Sequence, residues 1–131
     1  MISTRGRYAI RIMLDIAENF KGDYIPLKDI AERQEISKKY LEIIVRDMVK
    51  GNLIEAASGK GGGYKLSRKP EEYCIGEILE ITEGSLAPVA CLENPDMNCP
   101  RAQSCKTLPM WKEFDELVHN YFYSKKLSDL I

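Results

Sequence analysis

The chain has 131 residues, of which 44% are hydrophobic and 30% charged, with four cysteines and a formal net charge of −1. This length suits one folded unit with a modest core, and no apolar run approaches the roughly 18 to 20 residues needed to cross a bilayer. The polar, basic stretch 1–11 does not resemble a signal peptide. We therefore expect a cytoplasmic protein without a membrane partner, in which cysteines are free thiols or metal ligands rather than disulfides.

The charge is divided unevenly along the chain. Residues 1–70 contain 14 Lys and Arg against 9 Asp and Glu, whereas residues 71–131 contain 5 against 11. A basic half fits a polyanionic partner, because each neutralised phosphate releases condensed counterions. Ordinary scatter of charge over a solvated surface is the alternative explanation.

Apolar residues at helical spacing predict three helices in the first half of the chain. The first spans about Thr4 to Asn19, and the second runs from Leu27 to near Gln34. Ser37 is suited to cap a third helix, and Gly51 to end it as a C′ residue. The helix–turn–helix order that results is typical of DNA-binding domains.

A glycine-rich hairpin follows these helices. Short strand candidates over 53–57 and 64–66 flank the turn 58–63, and a further helix is predicted from Ile75 to about Glu83. Helix, turn, helix, strand, turn and strand in this order predict a winged helix-turn-helix domain.

The segment 84–107 has neither helical nor strand periodicity, and a loop of this length in a small domain is usually functional or disordered. It contains Cys91, Cys99 and Cys105. Thiolates favour iron–sulfur clusters, zinc or cuprous ions, and the absence of a Cys-x2-Cys pair argues against structural zinc. These cysteines are therefore predicted metal ligands, with metal-free thiol chemistry as the alternative.

The sequence leaves the fourth ligand of such a site open. Glu93, Asp96, a group from a second subunit or an exogenous molecule could complete it. His119 lies too far along the last helix and is interpreted as an exposed or helix-packing residue. Cys74 precedes an apolar helix face and is interpreted as a small buried hydrophobe.

The last long helix, predicted from about Leu108 to Tyr123, carries a wide apolar stripe. Its members are Trp111, Phe114, Leu117, Val118, Tyr121 and Phe122. We prefer a homodimer seam for this stripe, and packing on the chain's own domain is the alternative. Ser128 is expected to cap a last turn through Ile131.

The predicted reading helix presents Ser37, Lys38, Lys39, Tyr40 and Glu42 in its leading turn. Lysines there, with Arg46, suit phosphates, whereas Glu42 can accept a hydrogen bond only from a base donor such as a cytosine amino group. Lys60 at the hairpin tip, among glycines, suits the minor groove. No nucleophile with a base partner and no paired carboxylates are recognisable, so we predict no enzymatic activity.

Four stretches of the chain carry a resemblance to a known family: STRGRYAIRIMLDIA, PLKDIAERQEISKKYLE, GKGGGYKL and IGEILEITEG. With the three-cysteine loop and the Trp111 helix, they resemble the winged-helix repressor family that includes the iron–sulfur regulator IscR, the nitric-oxide sensor NsrR and the cysteine-metabolism regulator CymR. The resemblance implies a homodimer whose DNA recognition is altered by an iron–sulfur cluster, [2Fe–2S] or alternatively [4Fe–4S]. CymR-like members, which generally lack the three-cysteine loop, offer a second possibility: cysteine-metabolism regulation.

The resemblance also assigns residues and exposes departures from the family pattern. IscR-like chains carry a His where this chain has Leu108, NsrR-like chains an acidic residue where it has Arg5 and Arg7, and IscR-like wings an Arg where it has Ser58. The predicted ligands are Cys91, Cys99 and Cys105. The predicted DNA-contacting residues are Thr4, Arg5, Ser37, Lys38, Lys39, Tyr40, Glu42, Arg46, Ser58, Gly59, Lys60 and Gly61.

The expected protein is thus mainly α with a small β-wing: a winged helix-turn-helix domain plus a long C-terminal dimerisation helix. We divide it into a DNA-binding domain (1–83), a cysteine loop (84–107) and a dimerisation helix with a final turn (108–131). The expected function is control of transcription through double-stranded DNA, gated by the cluster. A metal-free thiol redox sensor of the same fold remains the alternative.

Overall fold

The computed structural model describes residues 2–94 and 99–131. Within them lie five α-helices and one two-stranded sheet: α1 (Thr4–Asn19), α2 (Leu27–Gln34), α3 (Lys38–Lys50), β1 (Ile54–Ala57), β2 (Gly63–Leu66), α4 (Ile75–Glu83) and α5 (Leu108–Ser124). Three single 3₁₀ turns are Pro70–Glu72, Ala90–Leu92 and Leu127–Leu130. The predicted class, mainly α with a small β-wing, is confirmed.

The helix predictions hold because each helix carries its own local signals. The α1 and α2 bounds are those predicted, and α5 ends one residue later than predicted. The Ser37 hydroxyl caps α3 by accepting a hydrogen bond from the Tyr40 backbone N–H at 3.2 Å. The cap satisfies one of the amides that a helix start leaves without a partner.

Gly51 ends α3 for a different reason from the one predicted. Its φ is −85°, and the left-handed residue after the helix is Asn52, with φ of 60°. A Cβ at position 51 would overlap the Ile81 side chain on α4. Close packing of α3 on α4, rather than backbone conformation, therefore favours glycine here.

The two strands form an antiparallel hairpin in which Ile54 pairs with Leu66 and Ala57 with Gly63. A backbone bridge between Ile25 and Tyr64 ties β2 to the segment before α2, and a Cβ at Gly63 would overlap the Ile25 backbone. The wing is thus fixed beside the helix-turn-helix unit along its second strand.

Tyr73 locks the base of the wing. Its buried hydroxyl donates to the Leu53 carbonyl oxygen at 2.6 Å and accepts from the backbone N–H groups of Ser67 and Arg68 at 3.0 Å each. The Arg68 guanidinium lies 4.2 Å over the ring. Burial raises the pKa of Tyr73 above its ordinary value, so the phenol stays neutral.

The core lies where α1, α3 and α4 meet. Fully buried side chains include Ile12 and Ile16 of α1, Ile44 of α3 and Ile78 of α4. Inward residues of α3 are those predicted from periodicity: Leu41, Ile44, Val45 and Met48 are buried, and Val49 packs against them. Hydrophobic burial of this kind is the main favourable term in folding.

The end of the chain returns to the domain. The Ile75 N–H donates to the Lys125 carbonyl oxygen at 2.8 Å, and the Leu127 N–H to that of Tyr73 at 3.0 Å. The last turn begins at Leu127, one residue before the predicted cap Ser128. Cys74 joins this pairing opposite Lys126 and is half-buried, so the interpretation of a buried hydrophobe was wrong.

Candidate DNA-binding face and cysteine site

The outer face of α3 is charged and unpaired. Lys38, Lys39, Glu42 and Arg46 are exposed, and no hydrogen bond or ion pair with another described residue holds their side chains. Unpaired charges on one helix face remain available to an external partner. The arrangement matches the predicted reading helix, although contact with DNA stays a prediction.

Two of the predicted DNA-contacting residues, Ser37 and Tyr40, also have a structural role within the chain. Ser37 is exposed but its hydroxyl caps α3. The half-buried Tyr40 ring packs edge-on against Tyr8 of α1, with ring centroids 5.8 Å apart, and the Arg11 guanidinium lies over the Tyr8 ring. This leaves the Tyr40 hydroxyl as the part of that side chain suited to a phosphate or base.

A groove of about 520 Å³ separates α3 from the wing. Glu42 and Arg46 line one side of it, and Ala56 and Tyr64 line the other. The wing tip, Ser58, Gly59, Lys60 and Gly61, is exposed, and the Gly62 N–H closes the turn on the Gly59 carbonyl oxygen at 3.0 Å. One side of this surface therefore carries the charged side chains of α3. The other side carries the glycine-rich wing tip, whose backbone can approach a partner closely.

The predicted contacts at the start of α1 are partly engaged. Arg5 lies 3.5 Å from Asp47 of α3, with both side chains more than a third exposed, and Thr4 accepts a hydrogen bond from Arg7. Exposed pairs of this kind contribute little stability. Arg5 can therefore exchange Asp47 for a phosphate at low cost.

The orientation of the helix-turn-helix unit depends on a buried carboxylate that the sequence did not reveal. Asp15 of α1, 1% exposed at its side chain, accepts three hydrogen bonds from Arg33 and one from Gln34. Arg11 completes the network by donating to the Gln34 side chain and backbone. The partner Asp15 also raises the pKa of Arg33, which stays protonated.

The start of α1 is held by α4. Oε1 of Glu83 accepts from the Ser3 N–H at 2.8 Å, the Ser3 hydroxyl at 2.7 Å and the Gly6 N–H at 3.1 Å. A Cβ at Gly6 would overlap that carboxylate. A negative charge at a helix start is stabilising, because the unpaired N–H groups there carry partial positive charge.

The three loop cysteines line one open cavity of about 300 Å³. Cys91 lies in the Ala90–Leu92 turn, Cys99 follows the undescribed stretch, and Cys105 precedes α5. Within residues 2–94 and 99–131, no three His, Cys, Asp or Glu side chains converge closely enough to hold one metal ion. The cysteines therefore surround a common space without yet forming a closed coordination sphere.

Cys105 has the most polarised thiol environment of the three. Its sulfur lies 3.4 Å from the Thr107 hydroxyl, and hydrogen bonding from Thr107, with help from the Leu108 backbone and the charge of Arg101, lowers the pKa of the Cys105 thiol. Thiolates are both the better metal ligands and the better nucleophiles. This position is therefore suited to metal binding or to thiol oxidation.

Among the described residues that line the cavity, the three cysteines are joined by no further thiol and by no carboxylate or imidazole. Its remaining lining is Leu92, Asn94, Ala102, Leu108 and Lys112. Glu93 is exposed and does not line it, and Asp96 lies outside the described residues. Leu108 offers only carbon, so the position where IscR-like chains carry a histidine provides no ligand here.

His119 joins α5 to α4 instead of facing the cysteines. The Nε2 atom of His119 lies 3.2 Å from a Glu80 carboxylate oxygen. Its Nδ1 atom lies 3.0 Å from the backbone carbonyl oxygen of Asp115 and 3.3 Å from Oδ1 of the Asp115 side chain. Tyr123 stacks beside the imidazole and donates to Glu80 at 2.8 Å. The Asp115 carbonyl and the nearby carboxylates raise the pKa of His119.

The apolar stripe of α5 is divided between two environments. Val118 is buried and Phe122 packs on the chain's own core, whereas Phe114, Leu117 and Tyr121 are exposed, the latter two by 61% and 57%. Packing on the chain's own domain is therefore found for part of the stripe, and the homodimer seam stays a prediction. One edge packs on its own domain, and the other edge is uncovered in a single chain.

Three helices, a hairpin wing packed beside them and a charged outer face on the third helix define the class of winged helix-turn-helix DNA-binding regulators. The sequence matches the model of the Rrf2 family, iron-dependent transcriptional regulators, over residues 2–131. The chain belongs to this family and is a transcriptional regulator, not an enzyme.

Relatives and solved structures agree with this assignment. The chain is 38% identical to protein rrf2 of Nitratidesulfovibrio vulgaris, covering 99% of the chain and 86% of that protein. It is similar in structure to CymR, the global cysteine regulator of B. subtilis (TM-score 0.78, 31% identity, 99% and 95% covered). It is also similar to T. potens IscR (TM-score 0.74, 30% identity, 99% and 85% covered). Among the described helices, none is long and apolar enough to cross a membrane.

Proposed function

We propose that the chain is a homodimeric regulator that binds double-stranded DNA and whose DNA affinity is controlled by an iron–sulfur cluster at Cys91, Cys99 and Cys105. The observation that carries this proposal is the convergence of all three thiols on one cavity directly before α5. Cys91 and Cys105 are fourteen positions apart, yet they line the same space.

The DNA part of the proposal is supported by charge and shape together. Unpaired lysines on α3 would set the register on phosphates, and Glu42 would select a base with a free amino group. The groove between α3 and the wing lies between the two elements that would enter the major and the minor groove of the duplex. Lys60 at the tip supplies a positive charge for the minor groove.

The dimer part is supported by the uncovered edge of α5. Met110, Phe114, Leu117 and Tyr121 follow the i, i+4, i+7, i+11 spacing of a coiled-coil seam. A second copy of the same helix would cover this edge with an identical apolar surface, as a two-fold interface requires. Two reading heads held in this way would suit a palindromic site.

The donor set fits an iron–sulfur cluster in kind. Thiolates are the soft sulfur ligands that such clusters take, and no carboxylate or imidazole is among the described residues that line the cavity. A cluster would supply a redox-active, oxidation-sensitive link between the three cysteines. Leu108 leaves one coordination position to a donor from outside the described cavity. Lys112 at the rim offsets the negative charge that three thiolates bring together.

Control of DNA affinity requires a link between the loop and the reading head. Cys105 lies three residues before the start of α5, α5 is joined to α4 through His119, Tyr123 and Glu80, and Glu83 at the end of α4 holds the start of α1. Cysteines that are bound and cysteines that are free would favour different arrangements of this chain of contacts. The cluster can change the free energy of DNA binding by no more than the difference between its own binding free energies to those arrangements.

The decisive experiment is anaerobic purification with iron and sulfide analysis, an absorption spectrum and a DNA-binding isotherm, before and after iron chelation. The matched control is the variant with Ala at all three loop cysteines, compared with Cys74→Ala. We expect colour, iron and sulfide in the wild type and in Cys74→Ala but not in the triple variant. An iron-free wild type, or DNA affinity indifferent to chelation, would refute cluster control.

A metal-free thiol sensor is the second candidate. It is favoured by the lowered pKa of the Cys105 thiol, by the absence of a protein donor at Leu108 and by the similarity to the cysteine regulator CymR. This candidate predicts a colourless protein whose DNA affinity changes on peroxide treatment and returns on reduction. Cys105→Ser should abolish that response.

A further inference from the structure

The exposed face of α3 contains one apolar residue among charges. Lys39, Glu42, Ile43 and Arg46 follow the i, i+3, i+4, i+7 spacing of a single helix face. Ile43 is 41% exposed, and it lies neither in the core cluster nor among the hydrophobic residues packed against it. The chain therefore displays an isoleucine at one edge of the surface proposed to enter the major groove.

Entry of this face into the groove would strip water from Ile43 and from whatever base edge lies opposite. Base edges in the major groove display hydrogen-bond donors and acceptors, with a single apolar exception: the C5 methyl group of thymine. Opposite guanine, adenine or cytosine, the isoleucine would desolvate a polar group without replacing its hydrogen bond, which is unfavourable. Only a thymine methyl gives the side chain a matching partner.

We propose that Ile43 reads the C5 methyl group of a thymine in each half-site, close to the base pair that Glu42 selects. This inference rests on the proposed DNA-binding function and deepens it. Glu42 and Ile43 are consecutive residues at the two edges of the exposed face, so their readings would apply to neighbouring base pairs. The operator should therefore combine a cytosine amino group with a thymine methyl in its major groove.

The test begins with selection of binding sites from a randomised duplex library, followed by titration of the enriched duplex. Each thymine is replaced in turn by deoxyuridine, which lacks only the C5 methyl. One symmetry-related thymine position should weaken wild-type binding about fourfold per half-site, the equivalent of ~0.8 kcal/mol for one buried methyl group. Replacing the T·A pair at that position by C·G should weaken binding, and 5-methylcytosine in place of that cytosine should restore part of the affinity.

Two variants separate this reading from general loss of binding. Ile43→Ala should bind thymine and deoxyuridine duplexes equally, with an unchanged melting temperature, since the residue is outside the core. Ile131→Ala removes another exposed isoleucine, far along the chain at the end of the last turn, and should discriminate as the wild type does.

The outcomes are distinguishable. An enriched duplex whose affinity is independent of every thymine methyl, or an Ile43→Ala protein that still discriminates, overturns the Ile43 assignment alone. A library from which no sequence is enriched overturns the proposed sequence-specific function, and the assignment with it.

Discussion

The buried carboxylate Asp15 leads to an asymmetric prediction about the pair it forms with Arg33. The Asp15 side chain is 1% exposed, whereas that of Arg33 is 37% exposed. Replacing Arg33 by Met keeps the aliphatic stem but leaves a charge buried, with Gln34 as its remaining side-chain donor. Replacing Asp15 by Asn leaves a guanidinium that water can reach.

We expect Arg33→Met to lower the free energy of unfolding by about 3 kcal/mol, the lower end of what an uncompensated buried charge costs. Asp15→Asn should cost about 1 to 2 kcal/mol, the cost of weakened hydrogen bonds to a neutral group. In the Asp15→Asn background, Arg33→Met should cost about 1 kcal/mol or less, because the buried charge has gone.

Urea unfolding of the four proteins, followed by circular dichroism, measures this cycle, and equal slopes confirm that only stability has changed. A control is Arg46→Met on the outer face of α3, which should leave stability within about 0.5 kcal/mol of the wild type. If Asp15→Asn lowers the free energy of unfolding more than Arg33→Met does, the buried Asp15 carboxylate does not depend on Arg33 for its stability, and the reasoning is wrong.

Three further changes test other parts of the fold. Tyr73→Phe removes three hydrogen bonds at the wing base and should cost about 2 kcal/mol in urea unfolding, with DNA affinity reduced by more than stability alone explains. The pKa of His119 is raised in the folded protein, so its contact with Glu80 and Asp115 stabilises the fold fully below the unfolded-state pKa. This stabilisation is lost as the pH rises through the folded-state pKa. The free energy of unfolding of the His119→Gln variant should therefore change less over that pH interval than that of the wild type. Leu117→Asp should weaken self-association at least about tenfold in analytical ultracentrifugation while the monomer stays folded.

The sequence was sufficient for the elements whose signals are local. The apolar spacing of α1 and the Ser37 cap of α3 lie within a few residues of the structure they specify, and the glycine-rich turn identified the wing. Tyr73 shows the limit of this reasoning. Its three partners come from Leu53, Ser67 and Arg68, on either side of a hairpin, and no periodicity reveals them.

The same limit applies to charged groups that act across the fold. Asp15 follows an apolar stretch of a helix that reads as amphipathic, and its partner Arg33 is eighteen positions away. Glu83 contacts Ser3 from eighty positions away. Their roles depend on how helices cross, which the hydrophobic pattern does not specify. The domain division at 83 and 107 and the roles of the predicted site residues stay predictions.

In the proposed function the cysteine loop acts on the reading head through α4, and the polar contacts on the two sides of this helix differ. On the side of α5, His119 and Tyr123 hold Glu80 through half-exposed groups, whereas on the side of α1 a single Glu83 oxygen gathers three hydrogen bonds. On the other side of α1, Asp15 holds α2 independently, through Arg33 and Gln34. Under the proposed function, a change at the loop would act first on the junction of α5 with α4, because α5 directly follows the cysteines. In the proposed homodimer each reading head would move as a unit, because Asp15 and Glu83 hold α2 and α4 to α1 by hydrogen bonds.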